Sequence, residues 1–178
     1  MEKKLTVAVV LVLQCLFGWA QNGAFQKGTK TFDANIGLGS PYWSGLQKSL
    51  PINPRVGVDV GVTDEISLGG SLAYSGAKYS YYYFDEYTYK YNAWFVALRG
   101  AYHFDVENDK IDPYLGASLG YVVVTVKGAG DYAYGVASGA GYGAFGGVRY
   151  YLNKKFGLNG ELGYSSFSFL TLGISLKL

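Results

Sequence analysis

The side chains of this 178-residue sequence that could do chemistry are few. It holds one His and one Cys, too few nitrogen and sulfur ligands to close a structural metal site around His103. Asp105, Glu107, Asp109 and Asp112 follow each other like half a calcium loop, but Lys110 stands where such a loop needs Gly for its sharp turn. We read that run as a solvated turn. Gly141, Gly143 and Gly146 form a literal G-x-G-x-x-G. A dinucleotide loop opens a helix, however, and these glycines sit inside an alternating run, so no cofactor is expected. What remains is a scattered set of charges, Arg55, Asp59, Arg99, Arg149 and Glu161, and a stretch from Tyr79 to Tyr91 that holds seven tyrosines. Ion pairing and surface contact are the chemistry those two groups can do.

The elements that must carry them are strands. Glycine (26) and tyrosine (18) together make about a quarter of the sequence, which weakens helices and suits pleated surfaces and tight turns. Apolar residues recur with period two in eight segments, each giving one apolar and one polar face. Their apolar faces begin Phe32-Ala34-Ile36-Leu38 and Val56-Val58-Val60-Val62. The others run from Ile66 to Tyr74, Trp94 to Phe104, Leu115 to Thr125, Ala140 to Leu152, Phe156 to Tyr164 and Leu170 to Leu178. None of these faces carries a charge. Arg55, Asp59, Arg99, Arg149 and Glu161 all fall on the opposite, glycine-rich face, as do Asp33, Lys177 and His103. A net charge of +2 provides no electrostatic footprint for nucleic acid.

A soluble barrel would turn the apolar face inward. Aromatic spacing argues for the reverse. Trp94 and Tyr102, Tyr142 and Tyr150, and Phe156 and Tyr164 are pairs eight residues apart on apolar faces. Eight residues of strand span roughly 26 Å, and a barrel tilt near 40° turns this into a band about 20 Å tall, near the apolar belt of a membrane barrel. The connections alternate between longer and shorter, and only the last of the longer set, around Ser165 and Ser166, is tight. The reading is an all-β fold, an eight-stranded antiparallel up-and-down transmembrane β-barrel with the charges in its bore. Eight strands leave a bore that side chains can fill, so Arg55, Asp59, Arg99, Arg149 and Glu161 are expected to pair with one another rather than line an open pore. Pairing about residue 154 would set Arg149 opposite residue 159 and Glu161 opposite residue 147. Arg149 and Glu161 are then expected to meet diagonally, with Arg99 or Arg55 completing a network with Asp59.

Residues 1–20 have a charged start at Lys3 and Lys4, an apolar run, and Gly18-Trp19-Ala20 at the end, the pattern of a cleaved secretory signal peptide. Residues 21–178 then form the barrel domain. The segment ends Thr171-Leu172-Gly173-Ile174-Ser175-Leu176-Lys177-Leu178, a polar residue, a glycine and alternating apolar residues up to the last position. This resembles the C-terminal signal of outer-membrane β-barrels. Over residues 29–178 the chain resembles the small outer-membrane barrel family of OmpA, OmpX and opacity-like proteins. The resemblance implies export to the outer membrane of a Gram-negative cell and contact with outer-membrane lipid. It also implies recognition of Thr171, Gly173, Leu176 and Leu178 by the barrel assembly machinery.

Function is expected to be structural or surface-binding. Tyr81, Tyr82, Tyr83, Tyr87 and Tyr89 are candidate contacts for an extracellular ligand of unknown kind, since tyrosine supplies large amphipathic area at low entropy cost. The other account of that stretch is a hairpin standing above the membrane. An enzyme acting on lipid, or a small-solute channel, are the alternatives. The enzyme is not expected, because the lipid face has no His, Asp or Glu, and His103 lies near the inner rim.

Overall fold

The computed structural model describes residues 23–39, 47–48, 52–83, 85–127 and 138–178, with side chains throughout except at 47–48 and 79–88. The signal segment 1–20 lies outside the described residues. Eight strands follow the eight alternating segments: β1 Lys30–Leu38, β2 Asn53–Gly61, β3 Ile66–Tyr83, β4 Asp85–His103, β5 Ile111–Lys127, β6 Gly139–Tyr151, β7 Phe156–Tyr164 and β8 Leu170–Lys177. Each pairs antiparallel with its neighbour in sequence. β8 also pairs with β1, Ile174 opposite Ala34, and this closes the barrel. Closure leaves no edge and satisfies the backbone within the wall, the condition for crossing a bilayer with strands. A further two-residue strand, Gln47–Lys48, lies against β3 beyond the barrel.

The polarity is inside out. Leu98 is 76 % exposed on the outer wall, while Arg149 is 1 % exposed in the bore. Every apolar face read from the sequence points outward, and the glycine-rich face points in. Small residues there make room for rings. A Cβ on Gly147 would lie 2.6 Å from the Tyr114 ring, and one on Gly116 would lie 2.6 Å from Phe145.

Short connections 62–65, 104–110 and 152–155 share one end of the barrel with both described termini. In the last of these, Asn153 Oδ1 accepts from the backbone N–H groups of Lys155 and Phe156, both at 2.9 Å. This Asx turn fixes the hairpin so that Arg149 faces Asn159 and Gly147 faces Glu161, the expected register. The strands β1, β3, β5 and β7 end at the opposite end.

The tyrosine-rich stretch takes the hairpin account that the sequence left open, and one residue departs from the sequence reading. β3 and β4 run 18 and 19 residues, against nine for β1, so the ladder continues through the tyrosine-rich stretch to Tyr83 opposite Asp85. Tyr and Thr favour strands and cross-strand pairs, which carries the hairpin past the length needed to span a bilayer. Asp112, read as part of a solvated turn, is instead 2 % exposed, because β5 starts at Ile111 and Asp112 is in phase with the inward-facing Tyr114.

Both ends of the bore are covered. At the turn end, residues 23–29 fold across the mouth. Gly28 N–H donates to Gly61 O at 2.9 Å, Gly61 N–H donates to Thr29 O at 2.8 Å, and the Lys177 ammonium donates to Ala24 O at 2.5 Å. At the loop end, the β7–β8 connection dips inward and buries Phe167 among Tyr91, Phe95 and Val122. Asn53 Nδ2–H donates to Phe167 O at 2.5 Å and anchors it.

Candidate functional site

The bore between these ends holds one connected polar network. Glu161, on β7, accepts from Arg55 Nη2 at 2.6 Å and from Arg99 Nη2 at 2.7 Å, and the Tyr114 hydroxyl donates to the same carboxylate at 2.9 Å. Arg99 reaches Asp59 with its Nε at 3.6 Å and stacks its guanidinium 4.3 Å above the Phe145 ring. Asp59 shares Arg149 with two other carboxylates: Arg149 Nη2 lies 2.7 Å from Asp59 and 2.8 Å from Asp33, and Nη1 lies 3.3 Å from Asp112. Ser175 Oγ–H and Asn159 Nδ2–H donate to the other oxygen of Asp33. The carboxylates converge on guanidinium groups, so cation charge is already supplied at the point where a metal would sit.

All five charges named from the sequence therefore meet in one network. Asp33, Asp112, Tyr114 and His103 join them. Asp33 and His103 were visible on the polar face. Asp112 was masked by its place in an acidic run. The expected contact between Arg149 and Glu161 is not made. Their register is as expected, but Arg149 crosses to Asp33 and Asp59 on β1 and β2, and Glu161 takes Arg55 and Arg99. In a closed narrow bore the opposite wall is as near as the next strand, so register between neighbours does not decide partners.

At the turn end the network terminates in an arrangement that sequence reading missed. His103 Nδ1 lies 2.6 Å from Asp112 Oδ1, and its Nε2 lies 2.9 Å from Ser67 Oγ. With Nδ1–H donating to Asp112, Nε2 accepts from the serine hydroxyl, the order of a nucleophile, base and orienting acid. The remaining requirement is space for an acyl carbon beside the hydroxyl. Ser67 is 1 % exposed, Phe25 lies flat on the His103 ring, and Asp112 is shared with Arg149. As folded, the three residues are a buried hydrogen-bonded relay that ties β3, β4 and β5 together.

Beside Arg55, Arg99 and Glu161 lies a cavity of about 20 Å³, room for about one water. Of the tyrosines named as surface contacts, Tyr89 is 8 % exposed and packs with Tyr91 and Phe95 inside the barrel, so it is withdrawn from that set. Its phase along β4 turns it inward with Tyr91. The side chains of Tyr81, Tyr82, Tyr83 and Tyr87 lie outside the described residues. In the terminal pattern, Thr171 is buried against Ser168, and Leu176 and Leu178 lie on the outward phase. At Gly173 β8 lies tight against β1: a Cβ there would stand 2.3 Å from Ala34 O.

Several solved barrels share the fold. Over 89 % of this chain and 99 % of its own, the outer membrane protein OprG of Pseudomonas aeruginosa superposes with a TM-score of 0.55 at 13 % identity. Outer Membrane Protein W of E. coli matches 86 % of this chain and 99 % of its own, with a TM-score of 0.52 and 13 % identity. A de novo designed transmembrane β-barrel matches 86 % and 98 %, with a TM-score of 0.51 and 18 % identity. No curated protein matches the chain. The model of the outer membrane protein beta-barrel domain matches residues 8–175. A match of that length settles the family, and with it the meaning of the apolar wall: the chain belongs to the outer-membrane β-barrel proteins.

Proposed function

We propose that this protein is a closed outer-membrane barrel that neither conducts solutes nor performs catalysis, and that it acts through what it presents at the cell surface. The observation that carries this reading is the filled bore: Phe167 at one end, the Arg–carboxylate network in the middle, and Phe25 over His103 at the other. A packed interior of this kind suits a stable anchor better than a passage. In this reading residues 1–20 are removed on export, and the barrel assembly machinery reads the last strand. The experiment is planar-bilayer recording of the refolded barrel. The expected result is the absence of long-lived, porin-sized openings from the monomer. Large, stable conductance would overturn the reading.

The working surface in this proposal is the β3–β4 hairpin. Tyr83 lies nine positions beyond Tyr74, and the ladder continues the whole way, roughly 30 Å of paired strand. Such a rigid projection holds aromatic side chains at low entropic cost on contact. Capture of intact cells on a host or neighbour-cell surface, comparing wild type with a strain whose residues 79–88 are replaced by Gly-Ser, tests it. Unchanged capture would remove the hairpin from the proposal and leave a purely structural barrel.

A further inference from the structure

Above the aromatic residues on the outer wall, three lysines stand in one row. Lys78 on β3 pairs with Lys90 on β4, and Lys90 pairs with Lys127 on β5. All three are exposed, and none has a carboxylate partner among the described residues. Like charges directly opposite each other on adjacent strands are destabilising. A row of three is therefore a cost that an external anion would relieve.

The rows beneath it grade from charge to oil. Two residues lower lie Gly76, Asn92 and Thr125, and two lower again Tyr74, Trp94 and Val123. The Tyr74 hydroxyl donates to Asn92 Oδ1 at 2.6 Å, and its ring packs 4.9 Å from that of Trp94. Below these rings the wall has a depression of about 310 Å³ lined by Pro54, Val56, Leu72, Tyr74 and Trp94, with Arg55 at its margin. Tyr74 and Trp94 thus form the roof of an apolar slot and the floor of a polar step that leads to the lysines. Four residues of strand at a barrel tilt near 40° place the lysine row roughly 10 Å above the rings, and a lysine stem can bend back over part of that distance. That is the depth at which lipid phosphates lie over an acyl layer whose boundary Trp and Tyr mark.

We infer that the outer face of β3, β4 and β5 at the loop end is a binding site for one phosphate-bearing lipid of the outer leaflet. The phosphate lies on Lys78, Lys90 and Lys127, and an acyl chain fills the slot under Tyr74 and Trp94. Charge complementarity selects the headgroup, and the slot selects a lipid over a soluble anion. The site lies on the outside of the wall, so it stands or falls independently of whether the bore conducts.

Trp94 reports directly on the occupant. In a Trp19→Phe, Trp43→Phe background it is the single tryptophan. The full barrel is refolded into vesicles of phosphatidylcholine with a minor fraction of phosphatidylglycerol, with bromine on the acyl chains of one lipid or the other. Expected is quenching of Trp94 by brominated phosphatidylglycerol well beyond its share of the bilayer. Each Lys→Gln change at 78, 90 or 127 should lower that preference about fivefold at low salt, and the triple variant should abolish it. Lys→Arg at the same positions keeps it, as does Lys154→Gln with Lys155→Gln at the opposite end. Val56→Phe, which fills the slot without touching the lysines, should reduce quenching while the barrel still shows its heat-dependent gel shift. Bulk lipid composition at Trp94 in the wild type, or an unaltered preference in the triple variant, overturns the inference. Loss of the preference on adding millimolar inorganic phosphate also overturns it, in favour of a soluble-anion site.

Discussion

Phe25 lies on His103 with ring centroids 3.6 Å apart and planes 3° from parallel. This stack joins a segment that precedes the first strand to the last inward side chain of β4, and it covers the serine–histidine–aspartate relay from the turn end. Phe25→Ala should remove about 3 kcal/mol of stability, in the range for deleting a buried aromatic ring. Urea unfolding in lipid vesicles measures it, with Phe25→Leu expected to lose less. A change within error would mean that residues 23–29 rest on the mouth without holding it.

Arg149 is shared by three carboxylates, Asp33, Asp59 and Asp112, within a buried bore. Arg149→Met leaves Asp33 without a cation partner among the described residues and takes one partner each from Asp59 and Asp112, and should cost about 3 to 5 kcal/mol. Adding Asp33→Asn to that variant should restore part of the loss, since one unpaired charge is then gone. The urea midpoints of the two variants decide it. Equal midpoints for wild type and Arg149→Met would mean that water enters and screens the network.

Ser67 should be unreactive in the folded barrel. A fluorophosphonate needs an approach to the hydroxyl that 1 % exposure denies. Mass spectrometry of probe-treated barrel is expected to find Ser67 unmodified. Modification at Ser67, lost in His103→Gln, would turn the buried relay into an accessible nucleophile and overturn the non-enzymatic reading.

Leu119 is exposed on the outer wall, and Ser118 beside it faces the cavity near Arg99 and Glu161. Leu119→Arg should cost about 2 to 4 kcal/mol of insertion free energy near the bilayer midplane. Lys154→Arg, in an exposed turn, serves as the tolerant control. Folding yields into vesicles, read from heat-dependent gel migration, check the assignment of faces.

Gly173→Val should block barrel closure. Its side chain would meet Ala34 O and the Asn35 side chain, so β8 could not reach β1. Loss of the heat-shifted band is expected, whereas Ser175→Ala, which removes one hydrogen bond to Asp33, should keep it.

Much of this fold was legible in the sequence because strand faces are a local property. Period two decides which side of the wall Leu98 and Arg99 occupy, and Asn153 with its turn decides that Arg149 faces Asn159. The inversion of polarity was legible too, since Trp94, Tyr102, Tyr142 and Tyr150 mark the ends of the apolar faces. Partners inside the bore were not. Arg149 meets Asp33, which is 116 residues away, only because β8 closes on β1 and brings non-neighbouring strands within side-chain reach. Phe25 and Phe167 cover the mouths for the same reason: each lies outside the strands, where no periodicity marks a direction, and each is held by contacts that exist only once the cylinder is formed. The sequence by itself determined which residues face lipid and which face the bore. Tertiary closure decided which interior charges meet and what covers them, because distance across a barrel is set by its circumference and stagger and is written in no single strand.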